Sequence, residues 1–153
     1  MRDGPADRNG RTPAQVVREY VALRREWDLA TGERVSAVKR DEPSDPDPRD
    51  FDWDAANAAW SDLHRLRQQW CTPEAVERLH PRASFGNSSE FNPDLEILDE
   101  RQTSDDEVTL RTREYPFDAD GTRLPTEYEY SIRLIDGEGR LDGRSSEGIR
   151  DLL

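Results

Sequence analysis

Few side chains in this chain are placed to do chemistry. The one cysteine, Cys71, stands in Trp70-Cys71-Thr72-Pro73-Glu74, with His64 seven residues before it and His80 nine after. A nucleophilic cysteine needs a base, a cation or a helix N-terminus to lower its pKa. Thr72 as cap, Pro73 at the first helical position and Glu74 in the first turn read as a helix start, which favours a thiolate. Glu74 and Glu77 oppose it, and a lone cysteine beside a tryptophan is ordinarily a small buried hydrophobe. The stretch reads as a joint between elements. His64 borders the apolar face of one helix and His80, before Pro81, stands at the end of another; neither has a metal-ligand spacing.

Carboxylates are plentiful, so the question is which of them is buried enough to work as an acid or base. The elements answer it. Thr12-Pro13-Ala14-Gln15 has the form of a capping box, followed by Val16, Tyr20, Leu23 and Trp27 at helical spacing with Val17 and Val21 beside them. Gly32 is expected to end this helix, with "ERVSAVKR" adding a short turn. Residues 41–54 hold seven acids, one Arg and three prolines, which forbid a regular helix until about Asp52. Beyond it Trp53, Ala56, Trp60, Leu63 and Trp70 predict a helix with one broad apolar face, Leu66 at its edge.

After residue 84 the period becomes two. "LEILDE", "EVTLRTREY" and "TEYEYSIRLI" predict strands, and Asp136-Gly137-Glu138-Gly139 a hairpin into a last strand, "RLDGRSS". Arg111 and Arg113 would face Glu127 and Glu129 across two strands. The inward positions are then Val108, Leu110, Tyr128, Tyr130, Ile132 and Leu134. No acid or histidine falls among them, so no catalytic residue is expected, and both tyrosines read as packing. No phosphate loop or dinucleotide fingerprint occurs, and no cofactor or metal is expected. Helices followed by an antiparallel meander give an α+β domain over 12–145, with a tail at 1–11, an acidic Pro-rich loop at 41–52 and a C-terminal tail at 146–153.

The 153 residues are 33% hydrophobic and 37% charged, with a formal net charge of −12. The charge divides as +3 over residues 1–40 and −15 over the rest. Such a field repels nucleic acid and speeds association with basic partners. No apolar run nears the roughly 20 residues that span a membrane, and the N-terminus has no apolar signal core; a cytoplasmic protein without membrane contact is expected.

The central stretch "WCTPEAVERLHPRASFGNSSEFNPDLEILD" carries a resemblance. It is similar to bacterial immunity proteins with a nuclear-transport-factor-2-like fold, in which a helix ends in an aromatic residue and Cys-Thr-Pro. A Ser-Phe-Gly-Asn-type loop, an aromatic-x-Pro turn and a strand starting near Glu-x-Ile follow. Here these are Cys71-Thr72-Pro73, Ser84-Phe85-Gly86-Asn87, Phe91-Asn92-Pro93 and Glu96-Ile97. "YEYSIRLIDGEGRLD" resembles the family's last hairpin. The resemblance implies N-terminal helices on a strongly curved antiparallel sheet, a cone-shaped half-barrel. It also implies a function: binding and neutralising the cognate toxin domain of a polymorphic toxin system.

An acidic inhibitor suits a toxin with a basic cleft, such as a nuclease. Asp41, Glu42, Asp45, Asp47, Asp50 and Asp52 are then the candidate partner-binding residues. The same fold also hosts small-molecule binders and isomerase- or dehydratase-like enzymes, which would use Tyr128 or Tyr130 with a carboxylate from the helices. A homodimer through the outer sheet face is a third reading.

Overall fold

The computed structural model describes residues 10–40 (backbone only over 32–40), 53–81, 91–115 and 125–153. Three helices precede four strands: α1 (Pro13–Arg40), α2 (Trp53–Trp70), α3 (Pro73–Arg78), β1 (Glu96–Ser104), β2 (Glu107–Glu114), β3 (Thr126–Ile135) and β4 (Glu138–Ser145). The strands form one antiparallel sheet in the order β1-β2-β3-β4. The mixed α+β order expected from the sequence is the one observed.

α1 opens with the capping box that its sequence predicts. Gln15 N–H donates to Thr12 Oγ1 (3.2 Å) and Thr12 N–H donates to Gln15 Oε1 (2.8 Å), satisfying two orphan donors reciprocally. The helix does not stop at Gly32 but runs on to Arg40. A glycine within a helix costs only about 1 kcal/mol, and it terminates one by turning left-handed, which Gly32 does not do. The buried face of α1 is Val16, Val17, Tyr20, Val21 and Arg24. Leu23, expected on that face, is 39% exposed.

α2 packs through smaller residues than its tryptophans suggest. Its buried positions are Ala56, Ala59, Leu63 and Arg67, while Trp53 is 51% exposed and Trp60 and Trp70 lie half-buried at the flanks. Alanines at the seam bring the α2 backbone close to α1. Trp27 of α1 uses that proximity, donating its indole N–H to the carbonyl of Ala59 at 2.8 Å. Trp70 receives the guanidinium of Arg11 over its ring, 4.8 Å from the centroid.

Thr72 ends the joint between helices as predicted. Its side chain caps α3, accepting from Ala75 N–H at 3.1 Å, and Pro73 stands at the first helical position. Thr72 N–H donates to the carbonyl of Leu141 (2.9 Å) beside a Cys71–Leu141 bridge, so the joint covers the outer edge of β4. β1 is the other edge of the sheet.

β3 occupies the predicted ten residues, and Arg111 and Arg113 of β2 stand opposite Glu129 and Glu127. Asp136 (φ 53°) and Gly137 (φ 80°) form the left-handed pair that a tight hairpin turn needs between β3 and β4. One face of the sheet, with Leu110, Tyr128, Tyr130, Ile132 and Leu141, meets Val16, Val17, Tyr20 and Val21 in the core, closed by Cys71, Ala75, Leu79, Phe91, Leu95 and Leu153. The last segment, 146–153, is tied down: Leu152 N–H donates to the carbonyl of Arg144 (3.0 Å) and Leu153 is buried. Among the described residues, no helix is long and apolar enough to cross a membrane.

Candidate functional site

Cys71 sits 2% exposed in the core. Burial pushes its thiol up to about 12, although Arg67 and Arg24 pull the other way. At neutral pH it is a protonated, shielded thiol, the small buried hydrophobe of the sequence reading. His64 and His80 are exposed, and His80 contributes its main-chain carbonyl, which accepts from Arg67 Nη1 at 2.9 Å. Among the described residues, no group of three or more His, Cys, Asp or Glu stands in a metal-holding arrangement.

The inner sheet face corrects a second expectation. Inward alternation along β2 runs Val108, Leu110, Thr112 and on to Glu114, whose side chain is fully buried. An acid therefore does point into the core. Its charge partner comes from β4 by way of a bulge. Ile132 pairs with Leu141 but Ser131 pairs with Gly143, so Asp142 is an extra residue in β4. The bulge shifts the alternation by one, and both Leu141 and Arg144 face inward.

Arg144 and Glu114 meet there with neither side chain exposed (0% each). Arg144 Nη2 donates to Glu114 Oε1 (3.2 Å), Nε to the Tyr130 hydroxyl (3.0 Å) and Nη1 to the carbonyl of Leu152 (2.9 Å). Glu114 Oε2 accepts from Tyr130 (2.8 Å) and Thr112 (2.5 Å). The guanidinium also lies over Tyr128, 3.7 Å from its centroid, and Phe91, at 4.2 Å. Burial drives the Tyr130 phenol well above its ordinary value; Arg144 opposes this and Glu114 adds to it. Burial alone would lower Arg144, but Tyr130, Glu114 and Tyr128 outweigh it and hold it above its usual value. Every nitrogen of this guanidinium is engaged within the fold, so the cluster works as a clamp joining β2, β3, β4 and the C-terminal segment.

The candidate contact residues Asp41, Glu42, Asp45, Asp47, Asp50 and Asp52 lie outside the described residues, as does Ser84-Phe85-Gly86-Asn87. The described surface has an acidic region of its own. Residues 94–107 hold seven acids and one Arg, the same balance as 41–54. They form β1 and the turn into β2, and Asp94, Glu96, Asp99, Glu100, Asp105 and Asp106 are all exposed. The sequence signal was the same count of acids; what it lacked was the knowledge that β1 is a sheet edge. β1 also carries register irregularities between Ile97 and Asp99 and between Gln102 and Ser104. An open cavity of about 590 Å³ lies on the outer sheet face, where Arg111, Arg113, Glu127 and Glu129 line it. Both of its arginines are ion-paired, Arg111 with Glu127 at 3.9 Å and Arg113 with Glu96 of β1 at 3.1 Å.

The described residues form an α+β domain whose inner sheet face carries an internally bonded ionic clamp and whose β1 edge is acidic. No family model matches the chain, and no curated protein sequence matches it.

Proposed function

We propose that the chain is an inhibitor that acts by binding, an immunity protein that neutralises the cognate toxin domain of a polymorphic toxin system. The observation that carries this reading is the exposed acidic edge formed by β1 and its turn, in a chain of net charge −12. A row of acids on an open edge complements a basic cleft, such as that of a nuclease toxin, and accelerates encounter. Charge on an edge strand also blocks sheet-to-sheet pairing, which keeps the free inhibitor monomeric until its partner arrives. The central motif supports the same reading, as does the order of helices followed by a meander. On this proposal the finer fold is the nuclear-transport-factor-2-like cone and the protein works in the cytoplasm of the producing cell.

The test is rescue. If the gene immediately upstream encodes a large secreted protein, cells expressing its C-terminal domain should survive when this chain is co-expressed, and the two purified proteins should form a 1:1 complex. Toxicity unrelieved by well-folded inhibitor, together with no complex, would count against the proposal.

A second reading has one observation in its favour. Tyr130 and Glu114 place a hydroxyl against a carboxylate on the inner sheet face, as a cone-pocket binder or isomerase-like enzyme would require. The carboxylate comes from the sheet and not from the helices, and its oxygens are bonded to Arg144, Thr112 and Tyr130. Ligand-dependent protection of Tyr130 in a metabolite screen would favour that reading over the inhibitor.

A further inference from the structure

A surface cavity of about 250 Å³ opens between α1 and α2, lined by Leu23, Glu26, Trp27 and Ala30 of α1 and by Ala59 and Asp62 of α2. The helix seam explains it. Ala56 and Ala59 let the two helices approach closely, and the Trp27 indole bridges them by donating to the Ala59 carbonyl at 2.8 Å. Leu23 has the spacing of a core residue, yet it stays exposed beside Glu26 and Ala30. An apolar wall and two carboxylates therefore share one opening.

The polar chemistry of this opening is one-sided. The Trp27 N–H is already committed to Ala59, and the Thr31 hydroxyl, also in the lining, is buried. The carboxylates of Glu26 and Asp62 are both exposed and can only accept. Asp62 is paired with Arg65 on its own helix, where the side chains are 50% and 70% exposed. So exposed a pair contributes little and yields readily to a competitor. No hydrogen bond or ion pair engages Glu26 among the described residues.

Size and chemistry together select the occupant. The cavity is smaller than the about 300–1,000 Å³ of pockets for drug-sized molecules, and it suits one long side chain. Two carboxylates repel an anion, and a bare metal ion would leave the apolar wall unused. A cation on an aliphatic stem satisfies both halves of the lining. Arginine does so more fully than lysine, because its planar fork bonds carboxylates and lies flat on aromatic rings.

We infer that this groove is a docking pocket for an arginine side chain of a protein partner, its stem against Leu23 and Ala30 and its guanidinium bonded by Glu26 and Asp62. The net charge of −12 draws a basic partner toward it. That the partner is the toxin rests on the inhibitor reading; the pocket itself does not. It places a contact on the helices, apart from the β1 edge.

The experiment is an NMR titration of the full chain at fixed ionic strength with N-acetyl-arginine amide. The Trp27 indole N–H, assigned through Trp27→Phe, is followed together with the amides of Glu26 and Asp62. Saturable shifts in the millimolar range are expected at these signals. N-acetyl-citrulline amide, of the same length without the charge, should not saturate them. Glu26→Gln/Asp62→Asn changes only exposed side chains and should fold while weakening arginine binding about fivefold. Shifts of equal size with citrulline, no saturable shift at the groove, or unchanged affinity in the folded double variant overturns the pocket. Rescue by a chain whose groove ignores arginine would remove this inference alone. Arginine binding by a chain that forms no toxin complex would keep the pocket and remove the toxin.

Discussion

Arg144 on β4 reaches past β3 to Glu114 on β2, Nη2 to Oε1 at 3.2 Å, with neither side chain exposed to solvent. Tyr130 on the intervening strand bonds to both, so three strands share one ionic hub. Removing one member of a buried pair leaves the other charge uncompensated, which costs about 3–5 kcal/mol. Glu114→Ala and Arg144→Met should each lose stability on that scale in urea unfolding. The Glu114→Leu/Arg144→Met double variant should lose clearly less than the two single losses combined, because no lone charge remains. Additive losses would show that the two side chains are not energetically coupled. If the alanine variant fails to fold, Glu114→Gln, which keeps an acceptor for Tyr130, provides the milder test.

How far this hub was legible in the sequence follows from its parts. β3 was readable residue by residue because its alternation runs unbroken against β2 from Thr126 to Arg133. Glu114 lies on the same alternation as Val108, Leu110 and Thr112, but an inward acid contradicts the usual apolar pattern, so the alternation alone does not single it out. Arg144 was not readable at all. Simple alternation from Leu141 puts Gly143 inward, and only the bulge at Asp142, a tertiary feature, brings Arg144 round. The sequence overstates the tryptophans of α2, because they outweigh alanines in any apolar count, whereas close-packed helices put the small residues at the seam. The acids of β1 look in sequence like an ordinary solvated face, and pairing order alone makes them an edge.

Thr72 joins α3 to the bulge. Its hydroxyl accepts from Ala75 N–H (3.1 Å) and donates to Asp142 Oδ1 (2.6 Å). Thr72→Val keeps the shape and removes both bonds, so it should cost about 1–2 kcal/mol in chemical denaturation. Thr72→Ser keeps the hydroxyl and should recover most of that loss. Equal stability of the valine and serine variants would assign the role of Thr72 to packing alone.

Cys71 makes stability depend on pH in a definite direction. In the unfolded chain the thiol loses its proton near pH 8.5, about the free-cysteine value. The folded protein keeps that proton until about 12 because burial disfavours the thiolate. Between these values the native state binds more protons, so stability falls as pH rises, by at most about 1.4 kcal/mol per unit. Below pH 8.5 Cys71 contributes no slope. Tyr20 and Tyr130, both raised by burial, add to the decline only above pH 10. Urea midpoints at pH 7, 8.5 and 10 should therefore drop over the upper interval in the wild type and drop less in Cys71→Ala. Parallel profiles for the two proteins would show that the thiol does not titrate on unfolding.

The acidic edge makes the prediction that bears most directly on function. Asp99 and Asp105 are exposed on β1 and its turn. Reversing both to lysine shifts the net charge of the edge by four units while leaving the buried clamp alone. If the edge meets a basic toxin surface, the association rate should fall about tenfold at low salt, since steering acts on encounter more than on the docked complex. Dissociation should change little, and the difference between variant and wild type should shrink as salt shortens the range of the field. Asp45→Lys/Asp47→Lys in the Pro-rich stretch gives the comparison. A loss of rate there and none at β1 would move the contact to residues 41–52. An unchanged rate in both variants at low salt would remove charge steering from the account of how this protein finds its partner.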